Sequence, residues 1–435
     1  AWSAAVDQRP AAVALPRTVS EVSRVVRTAA SVGLHVAPQS TGHNAAPLAA
    51  QGLERTVLLR TSTMRAVTVD PERRIARIEG GALWQDVVDA AAPHGLAALH
   101  GSAPDVGVAG YSLGGGIGWY ARRLGMATNS ITAAEIVTAD GALVRADRRN
   151  HPDLFWAVRG GGGSFGVVVA IEMRLYEIED AYAGMLVWDV SEAERVLTTW
   201  ADWAVGAPDA VTTSFRMLNV PPLPDVPEPL RGRSIVVIDG AVLGTDEEGE
   251  RILARLRALG PEIDTFGRVP APSLTRLHMD PEGPTPFTGE TTMLRELTPE
   301  AIAAFLATVP TGPGAPLLFA ELRQLGGALG RRAEGAGVLP RLDGAFLGFA
   351  GGMALTPQMG AAAHAAAEGV VAALAPWSSG STYLNFAETS ADVRSAYPGW
   401  SWLQLKGIRS AYDPTGVFVA NHRIPRLWEA GRPTA

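Results

Sequence analysis

Pro38-Gln39-Ser40-Thr41-Gly42-His43-Asn44 is the stretch on which the reading of this chain turns. A histidine behind a small-residue turn is a weak signal by itself. Two glycine-rich segments follow it. The first is Gly101-Ser102-Ala103-Pro104-Asp105-Val106-Gly107-Val108-Ala109-Gly110-Tyr111-Ser112-Leu113-Gly114-Gly115-Gly116-Ile117-Gly118-Trp119. The second is Phe155-Trp156-Ala157-Val158-Arg159-Gly160-Gly161-Gly162-Gly163-Ser164-Phe165-Gly166-Val167-Val168. Taken singly, each glycine run reads as tight turns and His43 as a loop histidine. Glycine also lets backbone N–H groups approach a pyrophosphate closely and adopt positive φ. A Rossmann fingerprint would need a strand before the glycines and a helix after them. A β-rich run follows Gly160 to Gly166, and no clear strand precedes Gly107 to Gly118, so that reading fails.

Composition narrows the classes. At 435 residues there is material for two domains and their cores. A net charge of −7 and the lack of a long basic run argue against a nucleic-acid partner. No apolar stretch approaches the ~20 residues that span a bilayer, so no membrane partner is expected. There are no cysteines, which excludes disulfides, thiolate metal sites and cysteine nucleophiles; no metal is expected. The sequence starts at Ala1 without Met, a basic stretch or an apolar leader. A processed or trimmed start is the expectation. The cytoplasm is the expected location, with secretion as the alternative.

Periodicity supplies the elements. Thr18-Val19-Ser20-Glu21 is a capping-box pattern before a helical face of Val22, Val25, Val26, Ala29 and Ala30, with Gly33 as the stop. His35 to Pro38, Thr56 to Leu59 and Ile75 to Ile78 read as strands, and Leu83 to Ala92 as a helix. Ala139-Asp140-Gly141 predicts a hairpin between Ala134–Thr138 and Ala142–Val144. Gly166 to Leu175 is a strong strand. Farther on, helices are expected over Glu192 to Val205, after Thr245, after Thr298-Pro299 and over Gln358 to Leu374. Strands are expected at Val211 to Met217, Ser234 to Ile238, Leu317 to Leu325 and Ala345 to Ala350, with a Pro-rich loop from Pro221 to Pro229. Helix-like Trp402 to Ser410 precedes a turn at Asp413-Pro414. The tryptophans at 200, 203, 400 and 402 read as core.

In their order and spacing, the His43 turn and the two glycine-rich segments resemble the FAD-binding half of the vanillyl-alcohol-oxidase superfamily, in particular its berberine-bridge-enzyme-like branch. Gly42 and His43 match the family's Gly-Gly-His turn, and Thr41 stands in place of the first Gly. Gln39, Ser40 and Asn44 fall in the same turn. Gly101, Ala103, Val106, Gly107, Gly110, Tyr111, Gly114, Gly115, Gly116 and Gly118 fall on the second flavin-binding loop. Gly166 and Val168 match the strand on the adenine side. Tyr383-Leu384-Asn385-Phe386 matches the Tyr-x-Asn-Phe/Tyr segment at the flavin face. Tyr412-Asp413-Pro414, Phe418 and Asn421 match the closing signature. Leu277-His278-Met279-Asp280-Pro281 and Glu321 to Ala328 look like bacterial members. The fold implied is α+β: a two-part FAD-binding domain of the PCMH type plus a substrate domain with an antiparallel sheet covered by helices. The implied domains are 1–180 and 387–435 for FAD and 181–386 for substrate.

The resemblance implies FAD bonded covalently through the histidine at position 43. Many members add a cysteinyl bond two residues after the position of Gly101. Ala103 stands there, so a single link through His43, or none, is implied. The implied activity is an FAD-dependent oxidase of a small alcohol or amine, with O2 as the second substrate and H2O2 as product. A small residue three places after the cysteine position admits dioxygen in this family, and here it is Val106. Substrate oxidation also needs a proton acceptor. By the resemblance Tyr383, beside Asn385, is either that base or a hydroxyl that only hydrogen-bonds. A tyrosine pKa near ~10 makes it a poor base without help.

On Leu317 to Leu325, alternation puts Phe319, Glu321 and Arg323 on one face. That face reads either as a cavity wall for substrate or as a solvated face with an ion pair. His278, near Asp280, has a cavity reading and a simpler surface reading. A flavin-dependent cyclase or oxygenating enzyme, and a flavin-binding protein without turnover, are the alternative functions. Substrate identity and oligomeric state stay open.

Overall fold

The computed structural model describes residues 1–224 and 226–429. Asp225, inside the expected Pro-rich loop, and residues 430–435, at the end of the expected last segment, lie outside the described residues.

Three larger sheets organise the described residues, beside a two-stranded pairing of Leu96–Ala97 with Tyr176–Glu177. The first is parallel, with Thr56–Arg60 between Ala12–Ala14 and His35–Gln39. The helix Val19–Ser31 buries Val22, Val26 and Ala29 against it. Thr18 caps this helix by accepting from Glu21 N at 3.2 Å. Glu21 reaches back one residue farther than a capping box requires, to Arg17 N. Gly33 ends the turn with φ +71°.

The second sheet is five-stranded and antiparallel, in the order Val67–Asp70, Ile75–Glu79, Val167–Arg174, Ile131–Val137, Leu143–Asp147. Its last two strands form the expected hairpin. Asp140 Oδ1 accepts from Ala142 N and Thr138 Oγ1 there, and Gly141 takes φ +77°.

The third sheet is antiparallel and eight-stranded. Its main path runs Ile263–Asp264, Asp180–Asp189, Ser234–Val242, Val211–Asn219, Phe319–Gln324, Phe346–Met353, Phe287–Leu294. Helices Ala193–Gly206, Asp246–Arg257, Pro299–Thr308 and Pro357–Leu374 bury its outer face around Trp200, Phe215, Phe305 and Phe346. Thr245 and Glu248 form a complete capping box. Thr298 caps the helix that Pro299 opens. The inner face of this sheet turns toward the first two sheets.

Some expectations need correction. The strands Asp180–Asp189 and Phe287–Leu294 and the helix Pro152–Gly161 are additional elements. Gly184 and Gly289 interrupt the side-chain alternation of those two strands, because the backbone of Thr265 and Phe266 presses against the first and the Phe287 and Phe349 rings with Ala350 O against the second. Trp200 and Trp203 are core, but Trp400 is 57% exposed and Trp402 is half-buried.

The last described segment returns to the first sheet. Val36 N donates to Val417 O at 2.8 Å, and Val419 N donates to Val36 O at 3.0 Å. A buried pair anchors this return. Asp413 accepts from Val417 N at 2.6 Å and Phe418 N at 3.1 Å. Arg409 donates to Phe418 O at 2.8 Å and to Ile424 O, and sits 3.5 Å from Asp413. Removing one member of a buried pair strands the other charge. Asp413→Ala should therefore destabilise the fold by about 3–5 kcal/mol, read as a lower midpoint in thermal denaturation; an unchanged midpoint would count against this anchor.

Candidate functional site

One cavity of about 410 Å³ lies between the three sheets. The His43 turn, the 101–114 segment with its short helix Val108–Leu113, and the glycines 160 to 163 and 166 form one side of it. The inner face of the large sheet forms the other, through Phe287, Phe319, Glu321, Arg323 and Phe349. The glycine run 160–163 closes the helix Pro152–Gly161, whose backbone leaves helical geometry at Arg159 and Gly160, and precedes the strand Val167–Arg174. That is the reverse of the Rossmann order.

Nearly all the residues singled out in the sequence meet at this cavity. Gln39, Ser40, Thr41, Gly42, His43 and Asn44 line it, as do Gly101, Ala103, Val106, Gly107, Gly110, Tyr111 and Gly114. Gly166, Val168, Asn385 and Asn421 do so as well. Gly115, Gly118 and Tyr383 do not; they form the layer behind. A Cβ on Gly115 would stand 2.9 Å from Tyr383 Oη, and one on Gly114 would overlap Asn385 Oδ1. These two glycines make room for the Tyr-x-Asn segment. At Gly110, Gly162 and Gly163 a Cβ would instead project into open space. That leaves bare backbone facing the cavity.

His43 is held on several sides. Trp2 stacks on its ring at 4.2 Å and 18°. Thr41 Oγ1 is 2.7 Å from Nδ1. Nε2 is enclosed without a hydrogen-bond partner among the described residues, 3.7 Å from Asp105 Oδ1, which also has none. Trp2 Nε1 and Gly283 N donate to the other oxygen of Asp105 at 2.6 and 2.8 Å. Burial pushes the Asp105 carboxyl up, but these donors and His43 outweigh it and hold it below the usual range. Neither Trp2 nor Asp105 was flagged by the sequence patterns. Asn44 Nδ2 donates to Leu384 O at 3.2 Å and approaches His422 Nε2 at 3.4 Å. Burial lowers the His422 pKa to about 4, so its ring is neutral at physiological pH.

Tyr383 is 2% exposed. Its Oη accepts from Gly116 N at 2.7 Å and from Asn385 Nδ2 at 3.3 Å. Burial pushes its pKa well above that of an ordinary tyrosine, against the pull of those two donors. Asn385 Nδ2 also donates to Tyr111 O at 2.9 Å. The hydroxyl is thus built into the wall, not presented to the cavity.

The face Phe319, Glu321, Arg323 lines the cavity and is not solvated. Glu321 is fully buried, with Arg323 Nε at 2.7 Å. Burial raises the Glu321 pKa, but Arg323 and His278 outweigh it and keep the carboxyl ionised. The surface reading of His278 is overturned. The ring is buried, lines the cavity and meets Asp239 at 2.8 Å. Phe287, Phe319, Phe349 and Phe386 form an aromatic cluster beside this charged end, with centroids 5.3–5.9 Å apart.

The arrangement fits a flavin nucleotide. A glycine-floored trough exposes backbone, and His43, whose enclosed Nε2 has no hydrogen-bond partner among the described residues, lines it. Comparison with known proteins agrees. Residues 10–147 match the family model described as an FAD binding domain. The chain is 35% identical over 265 residues to (R)-6-hydroxynicotine oxidase of Paenarthrobacter nicotinovorans, covering 60% of this chain and 56% of that protein. It is 39% identical over 168 residues to xylooligosaccharide oxidase of Thermothelomyces thermophilus, covering 38% and 34%. These alignments thus span about half or less of the relatives' length. Among solved structures, 6-hydroxy-D-nicotine oxidase from Arthrobacter nicotinovorans superposes with a TM-score of 0.77 at 25% identity, over 96% of this chain and 93% of that one. A berberine-bridge-enzyme-like protein of Physcomitrella patens superposes with a TM-score of 0.82 at 19% identity, over 98% and 93%.

Glu388 also lines the cavity, unpredicted from sequence. Burial first and then neighbouring Glu290 raise its pKa to about 8. An unfolded glutamate ionises near about 4.3. Between these values the folded state binds more protons, so stability falls as pH rises through that window and levels off above it. Glu388→Gln should remove this loss. Thermal midpoints measured from acid to alkaline pH should therefore decline less steeply in the variant; parallel curves would contradict the assignment.

Proposed function

Because the chain belongs to the berberine-bridge-enzyme-like branch of the vanillyl-alcohol-oxidase superfamily, we propose that it is an FAD-dependent oxidase of a small alcohol or amine, its flavin bonded through His43. The observation that carries this reading is the His43 turn. Its ring is stacked and hydrogen-bonded, yet Nε2 is left without a partner on the wall of a glycine-floored cavity. With no cysteine in the chain and Ala103 on the cavity wall, a second covalent bond has no donor.

Residues 1–180 with 387–435 make the FAD-binding half in this reading, and 181–386 the substrate half. The return of Val417 to Val419 onto Val36 supports the first grouping, and the large sheet supports the second. A flavin held here would supply the two-electron acceptor for substrate oxidation, with dioxygen as the final oxidant and H2O2 as product. The backbone at Gly110 and at Gly162 to Gly163 is open to the phosphates. The phenylalanine cluster excludes water and packs a compact apolar ring. Glu321 and Arg323 orient the polar end of the substrate. Tyr383 and Asn385 hold the segment 111–116 in place. Wall-bound and resistant to ionisation, Tyr383 fits positioning better than proton abstraction. Val106, on the cavity wall, leaves room for dioxygen.

Acid-precipitated protein should stay yellow, and a peptide containing His43 should carry the flavin by mass spectrometry. His43→Ala should leave the flavin dissociable. Complete release of flavin from the unmodified protein would overturn the link. Peroxide should appear with a member of a panel of (R)-6-hydroxynicotine and xylo-, gluco- and chito-oligosaccharides, the compounds named for the relatives; the compact, aromatic-lined end favours the first.

Val106→Leu should slow reoxidation of the reduced protein in air while leaving flavin content unchanged. Equal reoxidation rates in a stopped-flow trace would remove Val106 from the oxygen path.

A further inference from the structure

Beneath the cavity the inner face of the large sheet carries buried charge that the reading above leaves unused. Asp239 is fully enclosed. It accepts from Ser214 Oγ, from Arg216 Nη2 and from His278 Nδ1, the last at 2.8 Å. Burial alone would push its carboxyl up; Arg216, His278 and Ser214 outweigh that and hold it ionised. An ionised carboxylate only accepts, so Nδ1 carries a proton and Nε2 is the nitrogen that exchanges one. Neutral Nε2 accepts from Arg323 Nη2 at 3.1 Å, a bond that opens before Nε2 takes a proton, and stands 3.4 Å from Glu321 Oε1 and 3.9 Å from Asp280 Oδ1. His278, Asp280, Glu321 and Arg323 line the cavity, whereas Asp239 lies behind them.

Other candidates for a proton acceptor are weaker. Tyr383 is in the wall. Glu321 is stabilised as an anion by Arg323. Protonating His422 is disfavoured by its burial. His43 is assigned to the flavin. Resting on the oxidase reading, we propose that His278 accepts the substrate's proton at Nε2, with Asp239 as the positioning residue that sets its tautomer. The O–H or N–H bond of the substrate breaks, and its proton moves to Nε2. The hydride on the adjoining carbon, with both electrons of its bond, passes to the flavin. The substrate becomes a carbonyl or imine, and the imidazolium later returns its proton to solvent.

The charged groups facing the ring are Arg216, Asp239, Glu321 and Arg323 from three strands and Asp280 from its own loop; the Trp119 ring packs at 5.7 Å. Burial and Arg216 disfavour the imidazolium, but Asp239, Asp280 and Glu321 outweigh them and raise its pKa. The neutral acceptor is therefore present on the alkaline side, and the reaction speeds up as pH rises through that raised pKa.

Two measurements test this. In flavin-loaded protein labelled with ¹⁵N-histidine, the His278 signals are assigned by their loss in His278→Gln. Nδ1 should stay protonated while Nε2 titrates above about 6.5, and Asp239→Asn should abolish the Nδ1 preference. A neutral ring protonated on Nε2 overturns the proposal. Second, flavin bleaching without oxygen is followed against pH with the panel compound that reduces the unmodified protein, (R)-6-hydroxynicotine first. His278→Gln should lower the limiting rate by ~10²–10⁴-fold, erase the alkaline rise and leave half-saturation little changed. Asp239→Asn should shift the alkaline rise without erasing bleaching, which a purely structural role would not do. A pH profile in both variants parallel to that of the unmodified protein overturns the proposal. The titration needs no substrate, so a panel that leaves the flavin oxidised counts against the oxidase reading and leaves the tautomer to be decided by the titration.

Discussion

Asn385 occupies the space that a side chain at residue 114 would fill, and much of the cavity wall depends on that substitution of one residue's atoms for another's. The same carboxamide donates to Tyr111 O, while Tyr383 beside it accepts from Gly116 N. Asn44 ties the His43 turn to Leu384. Segments 41–44, 111–116 and 383–386 are thus stitched by hydrogen bonds from side chains to backbone. Each such bond adds only about 0.5–1.5 kcal/mol net, but losing one partner leaves a buried polar group unsatisfied. The wall is accordingly rigid without belonging to any long helix or sheet.

The inner face of the large sheet is built on a different principle. Cross-strand register sets Asp239, Ser214 and Arg323 in one row, and Arg216 and Glu321 in the next. Strand alternation sends the intervening residues, such as Phe215, Ile238 and Leu322, into the helix-covered core. One sheet therefore separates an apolar core from a charged floor. Buried ion pairs gain little stability, because desolvation offsets their attraction. Their concentration against the cavity fits a role in binding and proton movement better than one in holding the fold.

Much of this was legible in the sequence where local chemistry decides. Thr18, Thr245 and Thr298 each open a helix, because a hydroxyl can cap an orphan N–H within three residues. The strand Val167–Arg174 is nearly all apolar and stands in the middle of its sheet. Legibility failed where distant partners decide. His278 looked like a surface histidine beside Asp280, yet its controlling contact is Asp239, on another strand. Phe287–Leu294 is polar because it is an edge strand, so it lacked the apolar pattern of its neighbours. Tyr383 was placed on the flavin face by its motif, but only the packing of Gly115 shows its hydroxyl turned into the wall. Glu388 and Trp2 belong to no pattern; the fold alone brings them to the cavity.

The return of the chain end to Val36 also bears on how the protein is made. His35 and Gly416, joined by a hydrogen bond, are 381 positions apart. At a synthesis rate of about 5–20 residues per second, roughly 20–80 s separate the emergence of these two segments. During that interval one edge of the first sheet, with the apolar Val36 on it, has no mate. The trough is therefore incomplete until residues 416–419 have emerged, and cofactor capture waits on them while competing with aggregation of an open strand edge.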